Sequence, residues 1–218
     1  MKRLIPIIIL LLGACSSREA TNKLLTEVWT KDQSVRHTTM RLTKAVTTEG
    51  RTDLIDSLIM AVEAQEKADI ENISIIDSLL QKGLPHGLTA DSYNTIWIVI
   101  DHASLEKQEQ YLPMIEQMAK NRLIEQDRYA ILFDRVAMKQ NHPQRYGSQT
   151  VQFGNLESMQ LYVWPVENPA NIDSLRASVE MGTIADYLEQ LKSTTGLEAK
   201  FDPTMSVDKI NKLRQANN

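Results

Sequence analysis

The sequence predicts a mainly α protein, a single helical domain with a small β-hairpin or extended arm near 150–165. Three observations point there. Apolar residues recur at threes and fours over most of the chain, the spacing of one helix face. Glycine and proline number only 8 and 7 in 218 residues, which disfavours turn-rich all-β folds. One segment, 141–169, abandons the helical period for alternating and aromatic positions. With 42% hydrophobic and 24% charged residues, wholesale disorder is excluded. The 24 basic and 28 acidic side chains give a net charge of −4 with no basic block, so no nucleic-acid partner is expected.

The first fifteen residues read as an address. Lys2 and Arg3 precede an apolar run from Leu4 to Leu12, interrupted only by Pro6, and Leu12-Gly13-Ala14-Cys15 follows. The run is far shorter than the about 20 residues that span a bilayer as a helix, so residues 1–14 are expected to be a signal peptide. The pattern resembles the bacterial lipobox. That resemblance implies diacylglycerol on the Cys15 thiol, cleavage before it and N-acylation after it, anchoring the chain to a membrane. Cys15 is the only cysteine, so no internal disulfide can form. Ser16-Ser17-Arg18-Glu19 has no Asp after the cysteine. By resemblance to lipoprotein sorting rules, this suggests the outer membrane, facing the periplasm.

Residues 15–22 are expected to form the lipidated cysteine and a short tether, 23–192 the helical domain, and 193–218 a polar tail with one weak helix. The first helix carries the stripe Leu25, Val28, Trp29, Val35, Leu42 and Val46. A second starts near Thr52 and is expected to break around Glu66–Asp69, where the apolar phase is lost. Asp69 then N-caps a helix that ends at Gly83-Leu84-Pro85. Ile96–Ile100 is read as a buried helix because Thr89-Ala90-Asp91-Ser92 has helix-start chemistry. Helices near 105–120 and 127–140, the arm around Gly154-Asn155, and helices near 171–180 and 183–192 complete the domain. Trp29, Trp97 and Trp164 fit core or hairpin packing better than a sugar platform, although Trp164 beside Pro165 suits an exposed arm.

Functional residues should appear as polar groups on apolar faces. Asp32 and Arg36 lie one turn apart on the first stripe, a natural ion-pair spacing. Asp134 flanks the apolar arc of Tyr129, Leu132, Phe133, Val136 and Ala137, so its carboxylate needs a partner or a raised pKa; Arg135 turns to the more polar side. His102 follows the most apolar segment, whereas His37, His86 and His142 read as surface or loop residues. A general base, His102 oriented by Asp101 or Asp134, is one functional reading. A buried network joining helices is the structural one. The chain has no nucleophile elbow, P-loop, dinucleotide fingerprint or His-Glu-x-x-His. The histidines make no zinc pattern, so no metal or cofactor is expected.

Asp134-Arg135 followed by Gln144-Arg145-Tyr146-Gly147-Ser148-Gln149 resembles a bacterial family of domains of unknown function, marked by Asp-Arg and then Gln-x-Tyr-Gly-(Thr/Ser)-Gln. Asp32-Gln33-Ser34-Val35-Arg36 is similar to that family's Asp-Gln-x-x-Arg, and Asp69 with Asn72 to its Asp-x-x-Asn. Trp97, His102 and Ala103 match its Trp…Gln-His-Ala segment; Asn168-Pro169, Ile172-Asp173 and Arg176 match its closing segment. Asp101 stands where the family has Gln, and Glu180-Met181 replaces Gly-Leu. The resemblance spans about residues 25–190 and implies a mostly helical domain without an assigned activity.

The candidate polar site is therefore Asp32, Arg36, Asn72, His102, Asp134, Arg135, Gln144, Tyr146 and Gln149, with His102 and Asp134 as the catalytic candidates. The expected function is a lipid-anchored envelope protein that binds a small ligand or an envelope partner there, with Arg36 and Arg135 recognising an anion. The alternatives are a hydrolase of an envelope substrate with His102 as base, and a structural lipoprotein with a buried polar network.

Overall fold

The computed structural model describes residues 7–154 and 159–217, with side chains from residue 17 onward. The signal-peptide and Cys15 side chains, and the hairpin tip from Asn155, lie outside the described residues. The chain is mainly α with a small three-stranded sheet. It forms two compact units, Met1–Ala103 and Ser104–Asn218. The boundary falls in a stretch with no linker composition, which explains why the sequence reads as one domain. Among the described residues no helix is long and apolar enough to cross a membrane.

Among its described residues the first unit holds three α-helices: α1 (Ile7–Thr47), α2 (Ile55–Leu80) and α3 (Ala90–His102). Helix α1 runs straight through residues 16–22, where a tether was expected, and Asn22 has a structural task there. Its side-chain oxygen accepts from the Thr89 N–H at 3.2 Å and the Ser92 hydroxyl at 2.8 Å, tying the start of α3 to α1. Thr89 caps α3 by accepting from the Ser92 N–H, as its sequence suggested. Ten residues further along both helices, Asp32 meets His102; α1 and α3 therefore run parallel. Helix α2 returns antiparallel to α1, with Thr39 bonded to the Ala61 carbonyl, Arg36 to Asp69 and Lys31 to Glu71.

The interior of this unit holds Leu25 and Val28 from α1, Ile76 and Leu80 from α2, and Ile96 and Ile100 from α3. Burying each such side chain is worth about 1.5–3 kcal/mol. Trp29, assigned to the stripe by its spacing, is 41% exposed. The break expected at Glu66–Asp69 does not occur, because α2 continues and Asp69 sits mid-helix. The buried stripe of α2 reads Ala61, Ala68, Asn72, Ile76, Leu80. What looked like a lost phase is a helix whose inward positions are small and polar at this level.

The second unit begins with α4 (Leu105–Lys120) and α5 (Gln126–Lys139), which pack together. The predicted arm is β1 (Thr150–Phe153) antiparallel to β2 (Gln160–Val163), with Thr150 opposite Val163 and Phe153 opposite Gln160. Helices α6 (Ile172–Ala177) and α7 (Ile184–Thr195) follow, the latter opened by a Thr183–Asp186 capping box. The C-terminal segment is folded: β3 (Ala199–Lys200) pairs parallel with β2, and α8 (Val207–Asn217) buries Ile210 against Phe153 and Trp164. Trp164 is 2% exposed and donates its indole N–H to the His142 carbonyl at 2.8 Å, so it is a core residue.

Candidate functional site

The candidate residues divide between the units. Asp32, Arg36, Asn72 and His102 belong to the first; Asp134, Arg135, Gln144, Tyr146 and Gln149 belong to the second.

In the second unit, Asp134 is completely buried on α5 and faces the loop that leads to β1. Its carboxylate accepts from the N–H groups of Arg145 (2.8 Å), Tyr146 (3.0 Å) and Ser148 (2.9 Å), and from the Ser148 hydroxyl (2.9 Å). Gln144, equally buried, donates to the carbonyls of Gln149 and Trp164 and accepts from the Gln149 N–H. Gln149 donates to the Ile131 carbonyl on α5. From α6, buried Arg176 donates to the carbonyls of Tyr146, Gly147 and Gly182. Gly147 has φ +68°, the left-handed turn that lets successive N–H groups converge on one carboxylate.

This motif is an internal clamp. Burial pushes the Asp134 carboxyl above its ordinary range, while the surrounding donors pull the other way. Burial likewise lowers the Arg176 guanidinium. The Tyr146 ring packs against Phe133 and, with Tyr129 and the exposed Arg145, borders a shallow groove of about 260 Å³. The Tyr129 phenol, desolvated in that wall, is raised to about 12. The Asp134 carboxylate is spent on the loop, and the amides of Gln144 and Gln149 on the loop, on Trp164 and on α5. Arg176 has a larger role than its place in the closing segment suggested.

The first unit gathers a different set. Asp32 is 1% exposed on α1, and its Oδ1 lies 3.1 Å from His102 Nδ1 at the end of α3. Arg36 Nε sits 3.4 Å from the same carboxylate, its Nη2 bonds Asp69 on α2, and Gln33 donates to Asp32 at 2.8 Å. The carboxylate that His102 meets is thus Asp32, seventy residues away, where the sequence pointed to Asp101 or Asp134. Burial raises the Asp32 carboxyl, but the hydrogen bond and charge of His102, with Arg36, outweigh it and hold the group below the usual range. At Asp69 burial wins and the carboxyl is raised. The side chains of Arg36, Asp69 and His102 remain 24%, 22% and 19% exposed, so solvent reaches the cluster.

One oxygen or nitrogen from each of Asp32, Asp69 and His102 lies within 4.8 Å of the others. Asn72, one helical turn beyond Asp69, is fully buried, and neither atom of its amide has a hydrogen-bond partner among the described residues. Asp69 was expected as a helix cap, so its contribution to this cluster was missed; its only signal was the Asp-x-x-Asn resemblance.

Residues 21–200 match the model of DUF6624, a family of unknown function, and the chain belongs to that family. No curated protein and no solved structure matches it.

Proposed function

For this member of the DUF6624 family, we propose a lipid-anchored envelope protein that binds a small anionic ligand at the Asp32–Arg36–Asp69–His102 cluster of its first unit. The observation that carries the ligand site is a buried carboxylate ringed by three charged or titratable side chains that solvent still reaches. We locate the site here rather than at the Gln144–Gln149 loop because that loop's polar groups are consumed internally. Arg36 is the anion-recognising group: its planar fork now faces two carboxylates, the geometry that also suits a phosphate or a carboxylate ligand.

The anchor rests on the lipobox-like Leu12-Gly13-Ala14-Cys15 and the basic, apolar leader before it. Several acyl chains at about 0.8 kcal/mol per buried CH₂ hold a chain of this size on a membrane. The residues after Cys15 favour the outer membrane, facing the periplasm. Cys15→Ala should move the protein from the detergent phase to the aqueous phase and abolish incorporation of labelled palmitate; incorporation that persists refutes the anchor.

The ligand reading is tested by thermal unfolding with inorganic phosphate and a panel of small dicarboxylates. A ligand at 100 times its Kd stabilises by about 2.7 kcal/mol, a shift that Arg36→Gln should erase. No shift with any anion, or one unchanged in Arg36→Gln, overturns it. A hydrolytic reading draws on the same geometry, since Asp32 on Nδ1 leaves the other His102 nitrogen for a general base. Turnover of ester or phosphoester substrates, lost in His102→Gln, would favour it.

A further inference from the structure

Resting on the reading of this cluster as a site, we propose that Asp32, Asp69 and His102 bind one divalent transition-metal ion. The three residues come from three different helices, yet their ligand atoms already fall within 4.8 Å of one another. First-row ions hold carboxylate oxygen and imidazole nitrogen at about 2.0–2.2 Å, which sets ligand atoms about 3–3.6 Å apart. The Asp32 and His102 atoms, 3.1 Å apart, meet that spacing. Asp69 closes the third side by a side-chain rotation, which its partial exposure permits.

Asn72 supplies independent support. A fully buried amide with both atoms unpartnered costs about 1–3 kcal/mol per group, so it calls for an ion or water that the protein contacts alone do not provide. The cross-links Arg36–Asp69 and Lys31–Glu71 fix the antiparallel register of α1 and α2. That register places Asn72 near the level of Asp32, on the buried stripe of α2 and three residues from Asp69. Its carbonyl oxygen is the fourth donor, or its amide holds a metal-bound water.

Charge and donor type agree. Two carboxylates and one neutral imidazole suit manganese, iron or zinc better than a soft ion. Arg36 is at present the cation between the two carboxylates. A dication that takes over this neutralisation releases the guanidinium to meet an anion beside the metal, so one cluster binds both.

The purified full-length chain in detergent, stripped with chelator, is titrated with ZnCl₂ or MnCl₂ by calorimetry, and bound metal is counted by mass spectrometry. One equivalent is expected. Asp69→Asn and His102→Gln, with folding verified by circular dichroism, should each weaken binding at least about tenfold. Arg36→Gln should bind at least as tightly as the wild type. No binding of either ion, wild-type affinity in either ligand variant, or weaker binding in Arg36→Gln overturns the proposal. Metal failing while the Arg36-dependent anion shift persists refutes the metal alone. Metal binding without any anion shift refutes the anion reading and leaves the metal standing.

Discussion

Asp134→Ala should destabilise the second unit selectively. The substitution removes the acceptor for three backbone N–H groups and one hydroxyl, at 2.8 to 3.0 Å in their closest pairings. The Ser148 hydroxyl can rotate to another partner; the N–H groups of Arg145, Tyr146 and Ser148 cannot. Each orphaned donor costs about 1–3 kcal/mol. Water entering the vacated space recovers part of this, leaving a loss of about 3 kcal/mol against a typical total of about 5–15. Asp134→Asn keeps one oxygen and turns an amide against the remaining donors, so it should fall in between. The assay is urea unfolding of protein labelled with 5-fluorotryptophan. The ¹⁹F resonance of Trp164 reports the second unit, and those of Trp29 and Trp97 report the first. A Trp164 midpoint equivalent to within about 1 kcal/mol of wild type would refute the clamp and return Asp134 to the list of ligand-binding groups.

Arg176→Lys should cost the same unit about 3 kcal/mol, since an ammonium cannot span the carbonyls of Tyr146, Gly147 and Gly182 as the guanidinium does; the Trp164 resonance again reads it. Gly147→Ala places a Cβ 3.3 Å from Ile172 Cδ1 at φ +68°, so a loss of about 1–2 kcal/mol is expected, and an unchanged midpoint would show that the turn relaxes. Asn72→Leu should raise the stability of the first unit by about 1 kcal/mol by removing an unpartnered amide, while weakening metal binding; a destabilised Trp97 resonance would contradict the orphan. The folded pKa of Asp32 lies below its unfolded value of 3.8. Its stabilising contribution is therefore complete above about pH 4 and is lost as pH falls through the lower native value. Urea midpoints of the first unit should drop there, and Asp32→Asn should flatten the drop.

The helices were legible wherever one face is uniformly apolar. Thr89 and the Ile96–Ile100 run give α3, and the alternation of Val151, Phe153, Leu161 and Val163 gives the hairpin. Legibility failed where the interior is polar. Ala68 and Asn72 occupy inward positions of α2, so the apolar phase vanishes from a helix that is unbroken. It failed again at the C-terminus, where Ile210 is the single buried residue of a polar helix and its packing partners lie some fifty residues upstream. Helical phase did single out Asp32, Arg36 and Asp134 as polar groups near apolar faces, and the apolar run before it singled out His102. Neither could pair them, because the Asp32–His102 and Arg36–Asp69 contacts span 70 and 33 residues and are set by helix register.

The two buried aspartates mark the difference between scaffold and site. Asp134 is saturated by a backbone whose donors are fixed by a turn, so exchanging a partner would mean dismantling the loop. Asp32 is satisfied by side chains alone: His102, Arg36 and Gln33. Side chains change partners by rotation, at a cost of rotamers rather than of fold. Asp69 and His102 meet solvent on the same cluster, so under the proposed reading an ion or anion would replace one of these contacts while the helices stay packed on Leu25, Ile76, Ile96 and Ile100. Carboxylates of the first kind hold a fold together; those of the second kind can exchange partners, and the proposed site on α1, α2 and α3 rests on that difference.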